Sequence, residues 1–188
     1  MNKLLVAIFF LLNMTLGYAQ SEGGEYVSIK DLKNSMGVNM RFIPPQGWNE
    51  TVPQRPHVVK NYINPVDGSG MNIIAVELPT FVSRNEFKES MDDFYSEVCD
   101  EFKNDKRYNT FTVLSHKCIT LDQYPFLMIN ALIESHNYTR RYIYTALITA
   151  YEDVRIHICF YIMSEKTDYR IVQKVIDSVI FPDQYLTY

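Results

Sequence analysis

The sequence predicts an α+β fold in which helices cover a central, mostly antiparallel sheet, and three observations predict it. Beyond residue 110 the chain runs in four long stretches of period-two apolar alternation joined by short turns. Two other stretches, one after Ser83 and one after Thr167, carry apolar residues at spacings of three and four, the signature of helices with one buried stripe. The 188 residues are 47% apolar and 21% charged, the composition of a single globular domain rather than of a disordered or fibrous chain.

The elements follow in chain order. Met1-Asn2-Lys3 supplies a positive start, Leu4 to Leu12 an uninterrupted apolar run, and Gly17-Tyr18-Ala19 small residues before a cut ahead of Gln20. This pattern predicts a signal peptide over residues 1–19 and a protein exported to the periplasm or the extracellular space. The apolar run is far shorter than the ~20 residues of a bilayer-spanning helix, so no membrane span is expected in the mature chain. Residues 20–27 are polar and read as a flexible leader, followed by one domain over 28–188. Val38 to Pro44 alternates as a first strand, and Pro44-Pro45-Gln46-Gly47 turns the chain to deliver Trp48, the only tryptophan. His57–Asn64 and Met71–Leu78 flank the turn-forming Pro65-Val66-Asp67-Gly68-Ser69-Gly70 and predict a hairpin.

Ser83-Arg84-Asn85-Glu86 has the spacing of a capping box, with Val82 and Phe87 as its hydrophobic staple. Phe87, Met91, Phe94, Tyr95, Val98 and Phe102 then form one stripe of a helix expected to run to about Lys103. The four later strands are expected at Thr110–Leu121, Phe126–His136, Tyr138–Tyr151 and Val154–Met163, as an antiparallel meander. In the last of them Val154, Ile156, Ile158, Phe160 and Ile162 make one apolar face, while Arg155, His157, Cys159, Tyr161 and Met163 make a mixed one. Thr167-Asp168 opens a final helix with Val172, Ile176 and Val179 on its stripe, stopped by Pro182.

The order of these parts resembles the PsbP/Mog1-like superfamily. The resemblance rests on Phe42-Ile43-Pro44-Pro45-Gln46-Gly47-Trp48 after a first strand, the hairpin, the long helix, the meander turning after Leu121-Asp122, and the closing helix that ends Ser178-Val179-Ile180-Phe181. Where the superfamily has a glycine-rich turn after Leu121-Asp122, this chain has Gln123-Tyr124-Pro125. The resemblance implies an α/β/α sandwich and a role among accessory and protein-binding proteins.

The formal net charge is −4, and loss of Lys3 with the signal peptide makes it one unit more negative. Nucleic-acid binding needs clustered cations, and the densest here are Lys103, Lys106 and Arg107 at a helix end and the pair Arg140-Arg141, so no nucleic-acid partner is expected. Asn49-Glu50-Thr51 and Asn137-Tyr138-Thr139 match the glycosylation sequon, which matters only in a eukaryotic secretory route.

The search for a catalytic site finds no nucleophile elbow, phosphate loop, dinucleotide fingerprint or His-Glu-x-x-His, so no enzyme and no cofactor are expected. Asp67-Gly68-Ser69-Gly70 is not a calcium loop, because its twelfth position is Leu78. Asp92 and Asp93 diverge by ~100° around a helix and read as a solvated face. His-x-Cys occurs twice, at His116/Cys118 and His157/Cys159, and each pair projects an imidazole and a thiol from one strand face. Together they make the candidate zinc ligands, although a simple meander separates them by three strand spacings, ~14 Å, too far for one metal ion. The three cysteines allow at most one internal disulfide, and Cys99 to Cys118 is the pairing a helix lying on the sheet makes easiest. Cys159 with His157 also has the residue types of a nucleophile and its base.

What remains is surface. Arg155, His157 and Tyr161, with Asn130, Glu134 and His136, mix aromatic and charged groups as binding patches do, and Trp48 is either an exposed anchor or a core plug. The competing account is that the sheet tyrosines pack beneath a helix with their hydroxyls at its edge. The expected function is that of an exported, non-enzymatic accessory protein that binds an unidentified protein partner, an immunity-type inhibitor being one form of this. The alternatives are a periplasmic small-ligand or metal-binding module and a thiol-dependent enzyme.

Overall fold

The computed structural model describes residues 24–106, 108–135, 141–163 and 168–185. The expected signal peptide, His136, the Asn137 sequon and the basic residues Arg107 and Arg140 lie outside the described residues. The strands are β1 (Val27–Ser28), β2 (Arg41–Phe42), β3 (Asn49–Thr51), β4 (Val58–Ile63), β5 (Gly70–Glu77), β6 (Tyr108–Leu121), β7 (Tyr124–Ser135), β8 (Arg141–Tyr151) and β9 (Val154–Ile162). The helices are α1 (Arg84–Glu89), α2 (Met91–Asn104) and α3 (Tyr169–Asp177), followed by a short 3-10 turn at Pro182–Tyr185.

Seven strands form one sheet in the order β3-β4-β5-β9-β8-β7-β6, every neighbouring pair antiparallel. The expected meander is present, and its last strand is flanked on the far side by β5 of the N-terminal hairpin. The β6–β7 turn takes only two residues, Asp122 and Gln123, both at positive φ (45° and 68°), as a two-residue hairpin requires. Pro125 therefore lies inside β7, where the ladder to β8 has not begun; its carbonyl accepts from the Thr149 hydroxyl at 2.7 Å instead.

Cross-strand partners share a face, and this sorts the core into two layers. On one face Met71, Ile73, Leu147, Ile156, Ile158 and Phe160 pack with Val172, Val175 and Ile176 of α3. On the other, Ile129, Ala131, Tyr144, Ile148 and Cys159 pack with Phe87 of α1 and with Met91 and Val98 of α2. The result is an α/β/α sandwich.

Two expectations change. The single helix from Ser83 divides at Ser90, which closes α1 by donating its N–H to Glu86 O while φ −92° and ψ 13° take it out of helical geometry. The capping box forms as expected. The break redirects the chain, since α1 rests on β7 and β8 and α2 on β6. The first strand shrinks to Arg41–Phe42, held between β1 and a bridge to Ile180 that joins the N-terminal segment to the end of the domain.

A polar cleft beneath helix α2

The residues singled out on β9 come together under α2 rather than on an open surface. Arg155 and His157 are only 6% and 8% exposed. A guanidinium so buried requires compensating charge, and α2 supplies it. Arg155 Nη1 donates to Glu97 Oε1 at 2.8 Å and Nη2 to Glu101 Oε1 at 2.9 Å. Glu97 and Glu101 stand one helical turn apart and so share a face, which lets one guanidinium bridge both. The binding patch expected at Arg155, His157 and Tyr161 is thus corrected to a covered face, because the helix neutralises the arginine by lying over it.

The chemistry of the neighbouring groups follows from the same burial. Desolvation, then the charge of Arg155 and the nearby His57, push His157 down to about 3, so its imidazole is neutral near neutral pH. Burial pushes the Cys159 thiol up to about 12, only partly offset by the Tyr144 hydroxyl 3.2 Å from its sulfur. Burial is also the main cause that holds the Tyr144 phenol well above its ordinary range. Cys159 is therefore a protonated thiol paired to a tyrosine and not to His157, an unfavourable state for a nucleophile.

The other expected site residues lie elsewhere. Asn130 pairs across the sheet with Thr145 and Thr145 with Phe160, so Asn130 and Glu134 belong to the opposite face from His157. Asn130 donates to Ser115 Oγ and accepts from Thr145 Oγ1, and Glu134 forms an ion pair with Arg141. Trp48 is a plug in the apolar layer beneath α3 rather than an exposed anchor.

His116 and Cys118 lie on β6, three strands from His157 and Cys159 although on the same face, through the register His116–Ile129–Ala146–Cys159. The His116 ring stacks on Tyr95 at 4.0 Å. Among the described residues no group of three or more His, Cys, Asp or Glu side chains can hold a metal ion. All three cysteines are free. Helix α2 does lie along β6 but antiparallel to it, so Cys99 sits by Phe111 to Val113 while Cys118 sits beside Met91 and Asp92. The separation along the strand is ~15 Å, which corrects the expected Cys99–Cys118 pairing.

Between the C-terminal half of α2 and the β4–β5 hairpin the covered face opens into a cleft of about 180 Å³. Its floor is His157, Cys159 and Tyr144, one wall carries Arg155 and Glu101, and the exposed Arg55 and His57 stand at the mouth. Sequence reasoning missed Arg55, His57, Glu97 and Glu101. The i,i+4 glutamates were a readable acidic pair, but their arginine partner lies over fifty residues away and only the sheet order reveals it.

No family model and no curated protein matches the sequence, but solved structures match the fold. A Bacteroides thetaiotaomicron protein superposes with a TM-score of 0.55 at 11% identity over 88% of this chain, which spans only 51% of that protein. Cyanobacterial PsbP (CyanoP) from Synechocystis sp. PCC 6803 gives 0.55 at 15% identity, covering 88% of this chain and 99% of its own. LpqN of Mycobacterium tuberculosis, described as involved in cell envelope biogenesis, gives 0.50 at 10% identity and 86% of each chain. The chain has the PsbP-like fold that its sequence resembles.

Proposed function

We propose that this chain is an exported, non-enzymatic accessory module that acts by binding a protein partner along the open edge of its sheet. The observation that carries the reading is the contrast between the two edges. β3 closes one side with three residues, whereas β6 ends the other with fourteen, paired on one side only among the described residues and presenting Leu114, 60% exposed, at a bulge between Val113 and Ser115. An unpaired strand of this length offers main-chain donors and acceptors to an extended segment of another protein, with alternate side chains to select it. The bulges interrupt the ladder and discourage indiscriminate pairing, leaving Ser115–Leu121 as the regular stretch.

Two further observations support the reading. The groups that most resemble catalytic machinery, His157 and Cys159, are held neutral by burial. No helix among the described residues is long and apolar enough to cross a membrane. The superposition with PsbP and with an envelope-biogenesis protein supports an extracytoplasmic setting, and an immunity-type inhibitor is one form the role can take. The test is capture of envelope and secreted proteins on immobilised residues 20–188, with and without chelator, beside two variants. Leu114→Asp alters the open edge, and Val66→Asp alters the exposed hairpin tip as a control. The expected result is a chelator-insensitive partner lost with Leu114→Asp and kept with Val66→Asp. A partner indifferent to Leu114→Asp contradicts the edge reading.

A further inference from the structure

Helix α2 lies along the open edge strand, and two grooves run between them. One, of about 540 Å³, is lined by Tyr95, Cys99, Phe111 and Val113, and the other, of about 350 Å³, by Met91, Cys118 and Leu127. Tyr95 borders the first and His116 the second, and their rings stack at 4.0 Å, so this stack divides the two.

The sheet register fixes how these features are spaced. Val113, His116 and Cys118 lie opposite Ala131, Ile129 and Leu127 of β7, residues packed on the α2 side of the sheet. The bulge at Leu114 absorbs one extra residue, so the three stand at successive same-face levels of a regular strand. A segment added to the outer side of β6 turns every second side chain toward α2 at those levels. Its residue i then stands at the first groove beside Val113, i+2 meets the Tyr95–His116 stack, and i+4 stands at the second groove beside Cys118. The span from i to i+4 is ~14 Å.

Charge narrows the side chains. Asp100 and Lys103 at the first groove pair with each other at 3.3 Å. The second sets Lys88 and Lys117 against Glu89 and Asp92. Each rim is formally balanced, so a charged side chain entering either groove loses water without meeting a net counter-charge, whereas an aliphatic one gains by burial.

We infer that the occupant of the β6 edge is an extended segment of a partner protein with aliphatic side chains at i and i+4 and a small residue at i+2. The inference rests on the edge binding proposed above and adds the pattern that selects the segment.

The test uses three synthetic peptides with a common threonine-rich backbone and identical, charge-balanced flanks, each titrated into the labelled mature chain and followed by NMR. The first has leucines four apart with alanine midway, the second has leucines three apart, and the third has aspartates in place of the first peptide's leucines. The first is expected to shift the amides of Val113 to Cys118 saturably and to bind about tenfold more tightly than either of the others, the effect of withdrawing a leucine from a groove. Ser96→Trp and Asp92→Trp, at exposed α2 positions that each border one groove, are expected to erase most of that preference. Equal affinity of all three peptides at β6 keeps the edge binding and overturns the pattern, as does a preference that survives both tryptophan variants. Failure of every peptide to shift the β6 amides overturns the inference and counts against the edge itself, which the capture experiment with Leu114→Asp decides independently.

Discussion

The two faces of β9 are built from alternate residues of one strand, yet they are buried by different means. On the face toward α3, Val154, Ile156, Ile158, Phe160 and Ile162 meet other apolar groups, and area removed from water is the whole of the stabilisation. On the face toward α2, Arg155, His157 and Cys159 are almost equally buried, and each needs a specific answer: two carboxylates for the arginine, loss of the proton for the histidine, a phenol for the thiol. The first face tolerates changes that preserve volume. The second depends on the integrity of a hydrogen-bonded and ionic network.

The largest effect expected from breaking this contrast is on the apolar face. Phe160→Ala removes a fully buried ring and should cost about 3–5 kcal/mol in a denaturant titration. On the polar face, Glu97→Gln and Glu101→Gln together should destabilise by about 1–3 kcal/mol, held to that range because both carboxylates are roughly half exposed. The double substitution should exceed the sum of the singles, because either glutamate alone still neutralises Arg155. Additive singles would mean that the arginine does not depend on the pair.

The polar face should also respond to pH where the apolar face does not. His157 is depressed in the folded chain to about 3 from its ordinary 6.5. The unfolded chain thus binds the extra proton first, and stability is full above pH 6.5 and declines as pH falls toward 3. The loss should reach about 2 kcal/mol by pH 5, measured as unfolding free energy against pH, and His157→Leu should remove that slope. Tyr144→Phe deletes the hydroxyl at Cys159 and should cost about 1 kcal/mol. The smallest change lies outside both layers. Gln123 sits at φ 68°, so Gln123→Gly should stabilise by about 0.5–1 kcal/mol, read as a raised unfolding midpoint.

Much of this architecture was legible because its signals are local. The alternation in β9, the capping box at Ser83 and the turn at Pro65–Gly70 each depend on residues within a few positions of one another. The placement of β5 beside β9 was not legible, since it joins segments some eighty residues apart through shape and burial rather than through any motif. That pairing places the β4–β5 hairpin beside β9, and with it His57 and Arg55 at the cleft. The candidate site was half legible for the same reason. Arg155, His157 and Cys159 stood out as unusual strand residues, but whether they faced solvent or a helix depended on Glu97 and Glu101. The division of the helix at Ser90 was hidden because the apolar stripe from Phe87 to Phe102 continues across the break.

The claim on which this account most depends is that the mixed face of β9 is a closed, structured layer rather than an open reactive surface. Brief alkylation of the native mature chain, with the three cysteines resolved by mass spectrometry, tests it directly. Cys118 on the exposed edge strand should react, while the buried Cys99 and Cys159 should react only after unfolding. Labelling of native Cys159 at a rate comparable to Cys118 would contradict the account and return the Cys159–His157 pair to consideration as a reactive centre.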